Sequence, residues 1–234
     1  MKVAVVPAPG LGDAIILQIV SHHLQKMGHE VTTFTHHNFG RWFCDFTFAT
    51  GDDFTGYDAI YLQHDNRQRS KKIKEGSIPV YTFYGAYRED KHGKLDPKLD
   101  FVSDLSKCMV DNVVASLKPL FGIDANKDNG LKVPSELTFR KYPKRVAIHT
   151  TSGDPTRNWP LEKFQKVATF LENEGYEPHF LPAFHNLDQL LSFLYESSFF
   201  IGNDSGPGHI ASCLNLPNLI IGREAKHMLH WRPG

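Results

Sequence analysis

The run Lys2-Val3-Ala4-Val5-Val6-Pro7-Ala8-Pro9-Gly10-Leu11-Gly12-Asp13 decides how this chain is read. Residues 2–6 form an uninterrupted β-rich apolar stretch, the pattern of a strand covered on both faces. Residues 7–13 are dense in turn formers. From 14 to 27 the apolar side chains Ile15, Ile16, Ile19, Val20 and Leu24 recur at helical spacing, and Gly28 supplies a stop. Residues 30–34 return to strand character. Strand, glycine loop, helix and strand make a βαβ unit, the seed of a parallel sheet.

Outward from this seed the alternation continues. Strands are predicted at 58–62 and 78–83. A helix is predicted over 101–120, with Val102, Leu105, Met109, Val113, Leu117 and Leu120 on one side. Between 122 and 144 the sequence turns polar and irregular, as a linker does. The pattern then restarts with a strand at 145–150, a polar loop through Trp159, and a helix from Pro160 to about 174 that Gly175 ends. A strand at 176–181, a helix at 187–196, a strand at 198–203, a helix at 207–214 and a strand at 219–221 complete the series. The expectation is an α/β protein of two Rossmann-like parallel-sheet halves, 1–122 and 145–234, joined by a linker at 123–144 and facing a cleft.

Composition narrows the function classes. The 234 residues are 41% hydrophobic and 22% charged, the balance of an ordinary globular protein. Lys+Arg and Asp+Glu number 26 each, so no global field recruits nucleic acid. An anionic ligand has to be held by local geometry. Cys44, Cys108 and Cys213 form no CxxC pair, which argues against a disulfide framework or structural zinc and for a reducing cytoplasm. Prolines and glycines break the apolar N-terminus, so it reads as neither signal peptide nor anchor.

Three segments carry chemistry. In Pro9-Gly10-Leu11-Gly12-Asp13, the glycines let backbone approach a ligand, and a following helix start favours an anion. Asp13 has two open readings here, a helix cap or a general base. In His149-Thr150-Thr151-Ser152-Gly153-Asp154-Pro155-Thr156-Arg157-Asn158-Trp159-Pro160, three hydroxyls follow a strand end and a guanidinium precedes a helix, a combination suited to a diphosphate. In Ile201-Gly202-Asn203-Asp204-Ser205-Gly206-Pro207-Gly208-His209, a strand runs into a hydroxyl and close-approach glycines before a helix, a cradle for phosphate or ribose.

Taken in order, these three segments resemble the bacterial heptosyltransferases, glycosyltransferases of family 9 with the two-domain GT-B fold. That family pairs a Gly-x-Gly-Asp loop with a His-x-Thr/Ser loop ending in a basic residue before Trp-Pro. It adds an Asp-Thr/Ser-Gly-x-x-His motif before a helix, then Ala, Leu-x-x-Pro and a strand ending in Gly, matched here by Ala211, Leu214 to Pro217 and Gly222. The resemblance covers 1–35 and 145–222. It implies sugar transfer from a nucleoside-diphosphate donor, ADP-heptose first, to a hydroxyl of a glycan or glycolipid of the bacterial surface. By the resemblance, Asp13 is the general base. Thr150, Thr151, Ser152 and Arg157, standing where the family has lysine, hold the diphosphate, and Asp204, Ser205, Gly206 and His209 line the donor, with Gly10 and Gly12 alongside. The chain departs from the family in lacking a strand–helix unit between Leu181 and Leu187 and the terminal helices.

No cofactor or metal is expected, because the chain has no Asp-x-Asp pair of the kind metal-dependent sugar transferases use. The adjacent pairs His22-His23 and His36-His37 do not converge on one ion. The basic run Arg67-Gln68-Arg69-Ser70-Lys71-Lys72-Ile73-Lys74 reads first as a solvated helix face, and second as a contact with an anionic glycolipid or the inner face of the cytoplasmic membrane. A catalytically silent nucleotide-sugar-binding module and a sugar-nucleotide epimerase of the same architecture are the alternative functions.

Overall fold

The computed structural model describes residues 1–184, 186–222 and 224–232. It divides into two compact units, Met1–Asn38 with Phe43–Leu131, and Phe39–Trp42 with Lys132–Gly234.

In the first unit β1 (Lys2–Val6) leads through a short loop into α1 (Leu11–Ile16) and α2 (Gln18–Lys26), then β2 (Glu30–Phe34) and β3 (Thr47–Ala49). β4 (Ala59–His64), α3 (Gln68–Lys74), β5 (Val80–Tyr84), the short α4 (Glu89–His92), β6 (Asp100–Val102) and α5 (Met109–Phe121) follow. All strand pairs are parallel, in the order β3-β2-β1-β4-β5-β6. Val3, Ala4, Val5 and Val6 are buried on both faces, as their unbroken apolar run predicted. One side of the sheet packs Ala4, Val6, Ile60 and Leu62 with Phe34, Phe54 and Ile73.

The single helix expected over 14–27 starts earlier, at Leu11, and is broken at Leu17. Gln18, fully buried, turns its side-chain amide onto the Ala14 carbonyl, and Ser21 bonds Thr33 of β2 at 2.7 Å. The helix expected over 101–120 is in fact β6 followed by α5. Asp100–Val102 pairs with Thr82–Tyr84, and the Asn112 amide holds the Asp104 backbone, closing 104–108 into a turn that competes with helix. Val102 and Leu105, expected on the buried side, are exposed.

Part of the expected linker belongs to the first unit. His22 bonds Asp128 at 3.1 Å and His23 meets the Asn126 backbone, pinning this segment to α2. Gly130 has φ +74, with Phe46 and His22 against its Cα, so only glycine fits.

The second unit holds β7 (Tyr142–His149), α6 (Leu161–Asn173), β8 (Glu177–Phe180), α7 (Leu187–Glu196), β9 (Ser197–Asn203), α8 (Gly206–Cys213), β10 (Asn218–Ile221) and α9 (Ala225–Trp231). Its four parallel strands run in the order β10-β9-β7-β8. Val146, Ile148 and Ile201 pack beneath Phe164 and Ala168 of α6. Residues Phe39–Trp42 sit in this unit although the sequence places them between β2 and β3. Arg41 pairs with Glu136 and, at 2.9 Å, with Asp188, and Trp42 meets the Tyr195 ring edge-on. α9 provides a terminal helix where none was expected. No helix among the described residues is long and apolar enough to cross a membrane.

Candidate functional site

Each sheet reverses its strand order at one place, and in such sheets ligands bind outside the carboxyl ends of the strands at that point. In the first unit the reversal lies between β1 and β4. The loop after β1 and the first turn of α1 carry Gly10, Gly12 and Asp13 there. Gly10 is the N-cap of α1 without a side-chain bond, so Asp13 is not the cap. Its carboxylate instead accepts a hydrogen bond from the Gln63 amide near the end of β4. Gln63 is 4% exposed, and its oxygen accepts the Ala8 N–H at 3.1 Å. A Cβ at Gly10 would run into the Asp13 Oδ2, which explains the glycine. Gly12 lies one residue before Asp13, within the first turn of α1.

Burial pushes the Asp13 carboxyl above the ordinary carboxylate range, and nearby Asp65 adds to the rise. The Gln63 hydrogen bond and the residue's own backbone N–H oppose it. Beside this loop, His37 bonds the Pro9 carbonyl at 3.1 Å, and burial lowers its pKa. A pocket of about 240 Å³ opens along the same edge, between Pro7–Pro9, Thr35, His36 and Arg69.

In the second unit the reversal lies between β7 and β9. His149 at the end of β7 bonds Ser205 at 3.0 Å through Nδ1 and Thr151 at 3.3 Å through Nε2. Asn203, fully buried at the end of β9, donates to the Thr150 carbonyl at 2.7 Å and accepts the Trp159 N–H at 2.9 Å. One amide thus holds both ends of the 150–159 loop. Within the loop, Ser152 is bonded to the Asp154 carbonyl and the Asn158 side chain, and Asp154 caps the turn Pro155–Arg157. Arg157 reaches Asp204 at 3.3 Å. The Asp204 side chain is 8% exposed, so Arg157 is tied to a buried carboxylate. Ser205 is the N-cap of α8 and Gly206 its first residue. His209 is buried one turn on, where burial lowers its pKa and Asp204 partly offsets this. Burial lowers the His149 pKa as well, which favours the neutral ring at both positions.

The second unit therefore gathers Thr150, Thr151, Ser152, Arg157, Asp204, Ser205, Gly206 and His209 at one edge, and the first unit gathers Gly10, Gly12 and Asp13. Gln63, Asn203 and His149 were missed as site residues. Gln63 lies in an apolar strand with no motif around it, whereas Asn203 and His149 stood inside the quoted motifs. Among the described residues no three His, Cys, Asp or Glu side chains are grouped to hold a metal ion. In the basic run, Arg67 pairs with Asp65, Arg69 with Asp52 and Lys74 with Asp100, while Lys71 and Lys72 face outward.

No protein-family model matches the chain, and no curated protein sequence matches it. Solved structures do. ADP-heptose lipopolysaccharide heptosyltransferase II of E. coli is similar at 17% identity and TM-score 0.66, over 94% of this chain and 84% of that one. A family 9 glycosyl transferase from Veillonella parvula is similar at 15% identity and TM-score 0.68, over 100% of this chain and 84% of that one. The E. coli heptosyltransferase WaaC with ADP is similar at 12% identity and TM-score 0.65, over 94% of this chain and 87% of that one. With two parallel-sheet α/β units and these neighbours, the chain has the GT-B fold of the heptosyltransferases and glycosyltransferase family 9.

Proposed function

We propose that the chain is a glycosyltransferase that moves a sugar from a nucleoside-diphosphate donor, ADP-heptose first, to a hydroxyl of a glycan or glycolipid. The observation that carries this is the Asp13 carboxylate, anchored at the first sheet's switch point by Gln63, on a scaffold whose neighbours are glycosyltransferases. A buried carboxylate with a raised pKa is a stronger base than a solvated one, and proton removal makes the acceptor hydroxyl a better nucleophile.

On the donor side, Arg157 meets the diphosphate with Thr150, Thr151 and the N–H groups at the start of α8. Asp204, Ser205, Gly206 and His209 line the donor. A fixed guanidinium and a helix start stabilise the departing diphosphate without a divalent cation. Ser152 acts indirectly, by holding the loop in shape. We place the reaction in the cytoplasm, at the inner membrane face when the acceptor is a glycolipid, with Lys71 and Lys72 of α3 turned to the anionic surface.

Thermal unfolding in the presence of ADP, UDP, GDP and their sugars tests the donor side, since a ligand of the native state raises the melting temperature. ADP and ADP-heptose are expected to give the largest shifts. No shift with any nucleotide would overturn the assignment, and donor conversion without acceptor would make the protein an epimerase.

A further inference from the structure

We infer that Gln63 is the positioning residue of the reaction proposed above, the group that holds the Asp13 carboxylate in place and fixes which of its oxygens faces the acceptor. The inference rests on the reading of Asp13 as general base and extends it to a residue outside every motif.

The geometry starts with the β-ladder. Leu62 of β4 pairs with Val6, the last residue of β1, so Gln63 stands beside the loop that β1 feeds. Its side chain is buried at 4% exposure, where a primary amide needs partners for both ends. Chemistry fixes which way round it lies. The Ala8 N–H can only donate, so the amide oxygen must face it, at 3.1 Å. The NH₂ group is then left for Asp13 and can only donate to the carboxylate. The bond takes Oδ1. Oδ2, the oxygen that Gln63 does not bond, lies against Gly10, in the space that a Cβ there would take.

The same bond has an electrostatic consequence. Desolvation and Asp65 favour the protonated acid, whereas the Gln63 donor favours the ionised form that a base must have. The other groups around the loop do not replace it. His37 at the end of β2 is committed to the Pro9 carbonyl, and α5, which packs against α1, buries Asn112 and Ser116 but no acid or base on that face. A glutamine placed only to satisfy the Ala8 N–H would need its oxygen alone.

Two variants separate these roles in the full chain. Gln63→Leu loses both bonds, whereas Gln63→Glu keeps an acceptor for Ala8 and sets a second carboxyl group against Asp13, so like-charge repulsion adds to its shift and Gln63→Leu is the deciding variant. Asp13 is followed by carboxyl ¹³C NMR, its resonance assigned by its loss in Asp13→Asn, and kcat is measured against pH. Both variants are expected to titrate Asp13 at higher pH than the wild type and to move the acid limb of kcat the same way. Loss of a charge-assisted bond lowers the rate on the acid side about tenfold or more, with recovery at alkaline pH and ADP affinity unchanged. Unchanged Asp13 titration in Gln63→Leu, or a rate lowered equally at every pH, would overturn the inference. If the wild type transfers no sugar, the proposed function fails, while the NMR titration still decides the role of Gln63.

Discussion

Replacing Arg157 by alanine separates a structural role from a ligand-binding one, because the structure gives this residue both. Its guanidinium is 32% exposed and lies 3.3 Å from an Asp204 oxygen whose side chain is 8% exposed. At that separation the bare attraction is about 5 kcal/mol for an effective dielectric near 20. Hydration of the part-exposed guanidinium reduces the net loss to about 1.5–3 kcal/mol. For a protein of this size that lowers the melting temperature by roughly 3–12 °C. A guanidinium has five donors; Nη1 meets Asp204 and Nε lies 4.0 Å from Asp154, and a diphosphate would be met by the donors these two carboxylates leave. Losing those bonds costs a similar energy and weakens ADP binding about ten- to hundredfold. Arg157→Lys keeps the charge but not the fork, and is expected to recover much of the affinity, in line with the lysine that the resembling family places there. Thermal unfolding and calorimetric titration of the three proteins with ADP and UDP provide both numbers. Alanine binding the preferred nucleotide as tightly as arginine would put the phosphates elsewhere, and an unchanged melting temperature would remove the Asp204 pair from the stability account.

Other perturbations follow from the same geometry. Gly10→Ala drives a Cβ into the far end of the Asp13 side chain, so the fold is kept while the carboxylate moves. Transfer should fall about a hundredfold with a near wild-type circular dichroism spectrum. Asn203→Ala leaves the Thr150 carbonyl and Trp159 N–H without their partner, at about 1–3 kcal/mol each, and should lower both melting temperature and ADP affinity. The raised Asp13 pKa gives stability that is present below the ordinary carboxylate range and lost as pH rises through the folded value. Asp13→Asn should therefore melt higher than the wild type at neutral pH, and the difference should vanish on acidification. Dialysis against EDTA should leave transfer unchanged, and activity restored by Mg²⁺ or Mn²⁺ would mean that the leaving group is handled differently.

The sheets were legible because parallel strands buried on both faces leave unbroken apolar runs, as in 2–6 and 198–203. The failures have local causes. Polar side chains bonded to nearby backbone broke two helices, Gln18 at the α1–α2 junction and Asn112 before α5. Residues Phe39–Trp42 were misplaced because their partners, Glu136, Asp188 and Tyr195, are about a hundred residues or more away along the chain. On the site side, glycines, hydroxyls and charges at strand ends pointed to the two loops directly. Gln63 and Asn203 each act through one side-chain amide with two partners across a ladder, and strand register is needed to see them.

The most direct test of sugar transfer with Asp13 as base is acceptor-dependent release of ADP from ADP-heptose, measured side by side for the wild type and Asp13→Asn. The wild type should release ADP only when a glycan or glycolipid acceptor is present. The variant should bind ADP as the wild type does yet turn over about a hundred- to ten-thousandfold more slowly, the range a positioned general base supplies. Wild-type turnover by a folded Asp13→Asn protein, or ADP release that ignores the acceptor, would contradict the account.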